Sequence, residues 1–376
     1  MYGCKLCVDI CPTKCIEMKM DEEGFLYPKV ESERCKKCFL CEKVCPINWS
    51  NFSQEVLPKA YAGVYNCENV IKLSSSGGAF TAICEILLEQ NYIICGVKFD
   101  ENWKVKHDFA NTIKDCEKFR KSKYVLSDTN NCFIKIKNML QQGKLLCFFG
   151  TPCQVAALKA FLYLGNVDLK NLICVDLICH GAPNQQVFDE YLKELELIER
   201  DKVKTFYFRN KEEQNGLINS RSAFVEFSSG NIKILNSKND PFLRAYYERL
   251  FYRPACGSCI FARPERISDI TIGDAWHIEE LYPEWDSLKG VSLILGNTPK
   301  GWGVCEKLSS KMFLREISLN WAIEHNQQLM KPTKMSSRRK RFFYFRRTKS
   351  FYRSVNLAMK NSILHKIINK INSIRK

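Results

Sequence analysis

The first 45 residues contain cysteines at the spacing that binds iron–sulfur clusters. One run is complete and reads Cys-x-x-Cys-x-x-Cys-x-x-x-Cys-Pro from Cys35 to Pro46. The other run repeats this pattern up to Pro12, but Met1 stands where its leading cysteine is expected. In such paired runs the first three cysteines bind one 4Fe-4S cluster and the fourth binds the other cluster. We therefore predict a two-cluster module that passes single electrons.

This crossover rule predicts the ligands of both clusters. One cluster takes Cys11, Cys35, Cys38 and Cys41, and the other takes Cys4, Cys7 and Cys45, one ligand short. A zinc site needs only two Cys-x-x-Cys pairs, so it does not explain why the longer pattern ending in Cys-Pro occurs twice. A disulfide framework would be expected behind a secretory leader, and none precedes the motif. The spacing favours iron–sulfur clusters over both alternatives.

Three explanations fit the missing ligand. The true start of the chain lies further upstream, the first site holds a three-iron cluster, or Cys15 substitutes for the absent cysteine. We favour the upstream start, because the rest of both runs is intact and the break falls on Met1.

Composition limits the remaining possibilities. The chain has 376 residues, 45% of them hydrophobic, which suits an ordinary globular protein of two or three domains. No apolar stretch approaches the ~20 residues that span a bilayer, so we expect a cytoplasmic protein. The net charge is +16, yet residues 331–376 hold fifteen Lys and Arg and no acidic residue. The body is therefore nearly neutral, and the charge does not indicate a nucleic-acid-binding face.

Hydrophobic patterns beyond residue 60 predict an α/β body. Short apolar strands alternate with segments of helical period, which favours a largely parallel sheet. The predicted strands are 61–65, 92–99, 145–149, 172–179, 267–273 and 291–295. The predicted helices are 79–90, 130–142, 153–164, 185–199 and 241–252. Residues 203–236 contain three strand-like runs between turns, which predicts an antiparallel insertion.

Four further cysteines stand where this body would place a site. Cys153 and Cys179 each follow a buried strand, at the edge where α/β proteins bind ligands. Cys256 and Cys259 form a Cys-x-x-Cys pair in a loop. Four thiolates suffice for one more cubane. The alternative is that Cys153 and Cys179 are small buried apolar residues, as free cysteines often are.

Two polar segments are candidates for binding an anion. Residues 74–78 (Ser-Ser-Ser-Gly-Gly) precede a predicted helix, whose free N–H groups and positive end attract phosphate. Residues 120–124 (Arg-Lys-Ser-Lys-Tyr) add cations and an aromatic ring that suit a dinucleotide. An ordinary helix start and a solvated loop are the alternatives. His180, next to Cys179, is a candidate proton donor.

Six segments in order resemble the coenzyme F420 hydrogenase/dehydrogenase beta-subunit family, over roughly residues 60–305. They are SSSGGAFTAI, RKSKYV, FFGTPCQVAAL, DLICHGAP, CGSCIFARPERISDITIGDAW and GVSLILGNTPKG. The resemblance implies a flavoprotein that binds FAD, with a 4Fe-4S cluster near the flavin. It implies that this cluster is held by Cys153, Cys179, Cys256 and Cys259. It implies FAD contacts from Ser76, Gly77, Gly78 and Thr81, with Lys121, Ser122, Lys123 and Tyr124 as further candidates.

These observations predict five regions. They are a two-cluster ferredoxin module (1–47), a linker (48–59), an FAD-contacting region (60–145), a region with the third cluster (146–330) and a basic amphipathic tail (331–376). The fold class expected is α+β for the module followed by a mixed α/β body that binds flavin and an iron–sulfur cluster.

The predicted function is electron transfer between 4Fe-4S clusters and FAD. The other reactant is a redox partner protein or a two-electron substrate, such as a deazaflavin coenzyme or a small metabolite of cell-surface polysaccharide synthesis. The alternative is a non-catalytic electron-transfer or scaffold subunit. In the tail, apolar residues from 355 to 374 share one helical face, and 338–347 interleave cations with aromatic rings. This pattern suits an anionic membrane surface or packing on the protein itself.

Overall fold

The computed structural model describes residues 1–48, 56–129, 131–211, 213–214, 217–218 and 221–360. The strands are β1 (Ile16–Met20), β2 (Leu26–Val30), β3 (Lys59–Tyr65), β4 (Ile93–Phe99), β5 (Val105–Ala110), β6 (Leu146–Gly150), β7 (Leu172–Leu177), β8 (Val203–Asn210), β9 (Glu213–Gln214), β10 (Leu217–Ile218), β11 (Ser222–Phe227), β12 (Ile232–Leu235), β13 (Ile270–Asp274), β14 (Ser292–Gly296) and β15 (Met312–Ile317). The helices are α1 (Leu6–Ile10), α2 (Leu40–Lys43), α3 (Glu68–Lys72), α4 (Ala79–Glu89), α5 (Ile113–Cys116), α6 (Cys132–Gln141), α7 (Pro152–Leu164), α8 (Gln185–Glu199), α9 (Pro241–Tyr247), α10 (Pro299–Lys307), α11 (Leu319–His325), α12 (Arg339–Arg346) and α13 (Phe351–Met359).

The N-terminal module consists of two similar halves. Helices α1 and α2 each begin after a residue in the left-handed conformation, Lys5 at φ 62° and Phe39 at φ 58°. Each of these residues directly follows a cysteine of its run, so the two runs turn in the same way. An antiparallel β1–β2 hairpin completes the module. Leu6 and Val44 are fully buried in one hydrophobic cluster with residues of α7, which fixes the module on the body.

An eight-stranded sheet with the order β15-β3-β14-β13-β7-β6-β4-β5 forms the centre of the body. The adjacent strands β13, β7, β6 and β4 are parallel. The outer pairs are antiparallel. The expected largely parallel sheet is therefore correct only for the centre. The reason is that β14 follows β13 without a crossover helix, which a parallel pair would require.

The antiparallel insertion lies where the turn pattern predicts it. Strands β12, β11 and β8 form a separate three-stranded antiparallel sheet. Its inner face packs on α8 and α9 through fully buried rings, among them Phe188, Phe208 and Phe242. Phe188 and Phe242 meet edge to face with centroids 5.6 Å apart. This layer extends the edge of the body beside the ends of the central strands.

The described part of the C-terminal segment packs on the body. Phe342 and Phe343 of α12 and Val355 of α13 are buried in the same cluster as Phe242. The expectation that the aromatic rings of 338–347 face lipid headgroups is therefore wrong for these two phenylalanines, whose rings fill the protein interior. The rest of the amphipathic pattern, residues 361–376, lies outside the described residues. Among the described helices, none is long and apolar enough to cross a membrane.

Candidate metal centres and the adjoining cleft

Four cysteines of the body line one cavity. Cys153 lies in the first turn of α7, just after β6, and Cys179 follows the parallel neighbour β7. Because parallel strands end at the same edge of a sheet, the two thiols come together there. Cys256 and Cys259 reach the same cavity from the short helical turn of residues 254–258. The cavity has an empty volume of about 580 Å³, including the open space at its mouth.

Burial keeps these thiols protonated unless a metal binds. Burial, and then the nearby Cys256, raises the pKa of Cys179 to about 12. Burial also raises the pKa of Cys153, and the Cys179 and Cys259 thiolates add to the rise. Four such groups ionise together only when bound cations compensate their charge. The Thr333 hydroxyl, buried in the same lining, has no hydrogen-bond partner among the described residues, so it is available to an acceptor such as sulfide.

A single ion and a cubane make different demands on their ligands. A zinc ion holds four ligands at about 2.0–2.3 Å around one centre. In a cubane each of four irons takes one thiolate, so the sulfur ligands stand farther apart. Within the described part of the chain, no three His, Cys, Asp or Glu side chains gather closely enough to hold one ion. The four body thiols line one cavity, and their assignment to a 4Fe-4S cluster stays a prediction.

In the N-terminal module, the structure brings together the three ligands predicted for the incomplete cluster. The enclosed position of Cys4 raises its pKa to about 12, and the neighbouring Cys7 and Cys45 contribute to the rise. Burial and then Cys45 raise the pKa of Cys7 to about 11. Such mutual effects between thiols act only over short distances. The fourth cysteine of the second run thus lies beside the first run, as the crossover rule predicts.

The second group of the module includes Cys11. Its sulfur lies 3.5 Å from that of Cys15, which in turn is influenced by Cys35. Burial alone would raise the pKa of Cys11, but hydrogen bonds with Thr13 and Cys15 lower it to about 7. A thiol that ionises near neutral pH binds metal readily. Cys38 lies close to Cys41 and contributes to the raised pKa of that thiol.

This position of Cys15 bears on the missing ligand. Cys15 is buried and contacts Cys11, which belongs to the ligand set with Cys35. It therefore lies with the complete set rather than with Cys4 and Cys7. The interpretation in which Cys15 completes the first cluster is not favoured by this arrangement.

The two polar segments predicted to bind an anion are in contact. The Ser122 amide donates to the Ser75 hydroxyl at 2.8 Å, and the Arg120 guanidinium donates to Thr81 at 3.2 Å. Gly77 cannot be replaced by a larger residue here, because a Cβ atom would lie 2.3 Å from the Gly63 carbonyl oxygen. Gly78 caps α4 with φ 94°. Ser76, the remaining serine of this set, donates to the Val291 carbonyl at 2.9 Å.

Two of the predicted contact residues are engaged with the protein. The Lys123 ammonium donates to the carbonyls of Arg120, Phe119 and Lys118 at 2.7, 3.0 and 3.3 Å. The Tyr124 ring stacks on Tyr246, with centroids 4.1 Å apart and planes 5° apart. Lys123 and Tyr124 thus order the loop. In contrast, Lys121 places its ammonium 3.8 Å over the Tyr207 ring, at the surface of the insertion.

Cations from the end of β8 were not singled out by the sequence. Lys211 donates to the carbonyls of Ser76 and Ile71, the latter at 3.0 Å. Burial, together with the nearby Arg209 and Lys121, lowers the pKa of Lys211 to about 7. Arg209 pairs with Asp274 at 3.1 Å. The sequence carries one signal that could have identified these cations: Arg209 and Lys211 stand close together where β8 ends.

His180 connects this group of cations to the metal centre. It follows Cys179 directly and is exposed to solvent. Desolvation by the surrounding protein lowers its pKa, Asp274 opposes the effect, and Arg249 and Arg209 add to it. The lowered pKa favours the neutral imidazole at neutral pH, and the role of His180 as a proton donor stays a prediction.

The ferredoxin-type module and the four-thiol cavity of the body define the class of this protein. It is an iron–sulfur protein that transfers electrons. Comparison with protein families agrees with this class. Residues 60–133 match the N-terminal model, and residues 143–320 the C-terminal model, of the coenzyme F420 hydrogenase/dehydrogenase beta subunit. Residues 2–49 match a 4Fe-4S dicluster domain. The chain belongs to the coenzyme F420 hydrogenase/dehydrogenase beta-subunit family and carries a 4Fe-4S dicluster domain at its N-terminus.

The similarity of the chain to individual proteins is lower than its match to the family models. The chain is 27% identical over 164 residues to the coenzyme F420-dependent sulfite reductase of Methanocaldococcus jannaschii, which covers 43% of this chain. The match spans only a quarter of that relative's length. A solved structure of the F420-reducing NiFe hydrogenase complex from Methanosarcina barkeri aligns with a TM-score of 0.48 and 17% identity. That alignment covers 74% of this chain and 91% of the other.

Proposed function

We propose that this protein is an FAD-dependent iron–sulfur oxidoreductase. It passes electrons between two ferredoxin-type clusters, a third cluster in the body and FAD, and from there to or from a two-electron substrate. The observation that carries the proposal is the gathering of Cys153, Cys179, Cys256 and Cys259 around one cavity beside the N-terminal module. Isolated structural cysteines would have no reason to converge from three separate segments.

The residues that would hold each group follow from their positions. The cluster of the body takes the four thiols of the cavity. The module takes Cys11, Cys35, Cys38 and Cys41 for its complete cluster, and Cys4, Cys7 and Cys45 for the other. None of the twenty cysteines forms a disulfide, so all the proposed ligands are available to metal.

The family resemblance implies that the FAD pyrophosphate lies at the start of α4, and we propose this position. Gly77 and Gly78 pack closely on β3 there: a Cβ atom at Gly77 would lie 2.3 Å from the Gly63 carbonyl oxygen, and one at Gly78 would lie 2.8 Å from Tyr65 Cβ. Lys211 contacts the Ser76 carbonyl and lies near Lys121. A bound pyrophosphate would favour the protonated form of Lys211, whose pKa burial lowers to about 7. FAD bound there would exchange electron pairs with a substrate and single electrons with clusters.

Residues near this position could take part in proton transfer and charge balance. The lowered pKa of His180 favours the neutral imidazole, which can accept a proton released when the substrate is oxidised. Asp274 and Arg209 form an ion pair at 3.1 Å. We propose a deazaflavin coenzyme as the substrate. This choice agrees with the printed name of the sulfite reductase relative, which is coenzyme F420-dependent.

A second candidate is a subunit that only carries electrons. The short match to the sulfite reductase relative favours it, because three quarters of that protein have no counterpart in the alignment. In that case a partner protein would hold the substrate site, and this chain would supply clusters alone.

Anaerobic purification distinguishes the two functions. The oxidoreductase is expected to contain roughly twelve iron atoms and one FAD per chain. The reduced holoprotein should then be reoxidised by a small molecule, tested first with a deazaflavin. Iron without flavin, together with reoxidation only by redox proteins, would establish the electron-carrier function instead.

A further inference from the structure

Tyr2 links the N-terminal module to the metal centre of the body. Its side chain is buried and lines the same cavity as Cys153 and Cys259, although it belongs to the module. Only Gly3 separates it from Cys4, a ligand proposed for the incomplete cluster. The segment from Tyr2 to Cys4 is therefore in contact with two proposed metal centres at once.

The contacts of the Tyr2 hydroxyl leave one direction in which it can donate its proton. The backbone N–H of Ile260 donates to the Tyr2 oxygen at 3.2 Å. The ring rests on Phe261, with centroids 5.4 Å apart, which fixes its orientation. Ile260 directly follows Cys259, and Tyr2 and Cys259 line the same cavity, so the hydroxyl lies beside Cys259. Since the oxygen already accepts from Ile260, its proton is free to be donated to the Cys259 sulfur.

The Tyr2 hydroxyl remains a donor under physiological conditions. A tyrosine phenol ionises only near pH 10, so it keeps its proton at neutral pH. A neutral donor next to a thiolate stabilises the additional negative charge that a cluster acquires on reduction.

We propose that Tyr2 is a positioning residue that donates a hydrogen bond to the Cys259 thiolate and thereby raises the reduction potential of the body cluster. This inference rests on the proposed function, because it requires a cluster at the four body cysteines. It gives the module a role beyond carrying electrons: one of its side chains makes the body cluster a better acceptor. No bond is formed or broken in this role.

Tyr2→Phe tests the inference, since it removes the hydroxyl and keeps the ring on Phe261. The measurement is an anaerobic redox titration of the full-length holoprotein followed by electron paramagnetic resonance. The body signal is the one that Cys179→Ser removes. In Tyr2→Phe, the midpoint of this signal should shift to a more negative value, while the signals of the module keep theirs.

Tyr27→Phe is the matched control. It also removes one phenol oxygen from the module, and its ring lies 4.9 Å from the guanidinium of Arg253 rather than at the cysteines. This variant should titrate like wild type. An unchanged midpoint in Tyr2→Phe, an equal shift of all signals, or loss of the body signal would each overturn the inference. If Cys179→Ser removes no signal from the wild type, the proposed function itself is wrong, and the role of Tyr2 with it.

Discussion

Arg339 of the C-terminal segment forms a double hydrogen bond with Glu23 of the N-terminal module. The guanidinium contacts both carboxylate oxygens, and the Nη1–Oε1 distance is 2.8 Å. The same guanidinium donates to the Tyr252 carbonyl at 2.9 Å, just before the loop with Cys256. The two ends of the described chain thus meet beside the body cavity. The C-terminal segment is therefore part of the structure that holds the module in place.

Two truncations should differ sharply in their effect. A chain ending at Lys331 loses Phe342, Phe343 and the rest of α12 and α13, and each buried ring contributes about 1.5–3 kcal/mol. We expect this chain to be insoluble or to unfold at a much lower temperature. A chain ending at Lys360 keeps every described contact and should melt like the full-length protein. Thermal unfolding of both chains tests this, and equal stability of the two would contradict it.

The second truncation also tests the membrane proposal. That proposal now depends on residues 361–376, which contain four Lys and Arg and no acidic residue. If these residues bind an anionic surface, full-length protein should float with anionic vesicles at low salt, and the chain ending at Lys360 should not. Equal flotation of both chains, or of neither, would reject a membrane role for this segment.

His107 should make the stability of the fold depend on pH. Burial lowers its pKa from 6.5 to about 4, and the ring contacts the Phe149 carbonyl at 3.0 Å. Between these two pKa values the unfolded chain binds more protons, so stability falls as the pH decreases through this window. We expect a loss of about 1–2 kcal/mol between pH 7.5 and 5.5.

Urea unfolding of His107→Gln measures this contribution. Glutamine can still donate to the Phe149 carbonyl but does not titrate, so the variant should lose the contribution of His107. Asp9 and Asp240, whose pKa values are raised to about 6, act in the opposite direction and still titrate in the variant. His277→Gln alters an exposed histidine and should retain the wild-type dependence. An unchanged slope in His107→Gln would show that other groups are responsible.

Several elements could be predicted because their signals are local. The helical periods at 79–90, 153–164 and 185–199 match α4, α7 and α8 within one residue at each end. The helix predicted at 241–252 ends at Tyr247, because Arg249 adopts φ 58° and the Leu250 amide turns back to the Ala245 carbonyl. The residue types at this position do not predict that turn. The positions of the strands could also be predicted from the sequence. The direction of β14 could not, because it depends on the strands that pair with it.

The candidate site could be predicted from the sequence about as well as the fold. The cysteine spacing and strand ends indicated the thiols that the structure brings together. The sequence could not reveal that Lys123 turns toward the carbonyls of residues 118–120 or that Lys211 reaches Ser76. Both contacts join segments whose relative position is set only by the folded sheet. The amphipathic pattern of α13 likewise indicated a buried face, but a membrane and a protein core select for the same period.

Lys211 should contribute to flavin retention. Lys211→Met removes a cation next to the start of α4 and its bonds to the carbonyls of Ser76 and Ile71. We expect purified Lys211→Met to contain several-fold less FAD than wild type, with the same iron content. Lys204→Met alters an exposed lysine of β8 and should keep its flavin. Full FAD occupancy in Lys211→Met would exclude this residue from the binding site.

Cys179 should be required for one cluster only. Cys179→Ser is expected to lower the iron content by roughly four atoms per chain and to leave the two clusters of the module intact. Cys67→Ser changes an exposed cysteine and serves as the control, with wild-type iron. Iron analysis and the visible absorption spectrum measure both. Wild-type iron in Cys179→Ser would mean that the body thiols hold no cluster.

The electron capacity of the purified protein tests the central claim most directly. An anaerobic titration with dithionite counts the electrons that one chain accepts. Three clusters that take one electron each and a flavin that takes two predict roughly five electrons per chain. Absorbance of the clusters and of the oxidised flavin should both decrease during the titration. Uptake of three electrons or fewer, with no flavin bleaching, would contradict the account.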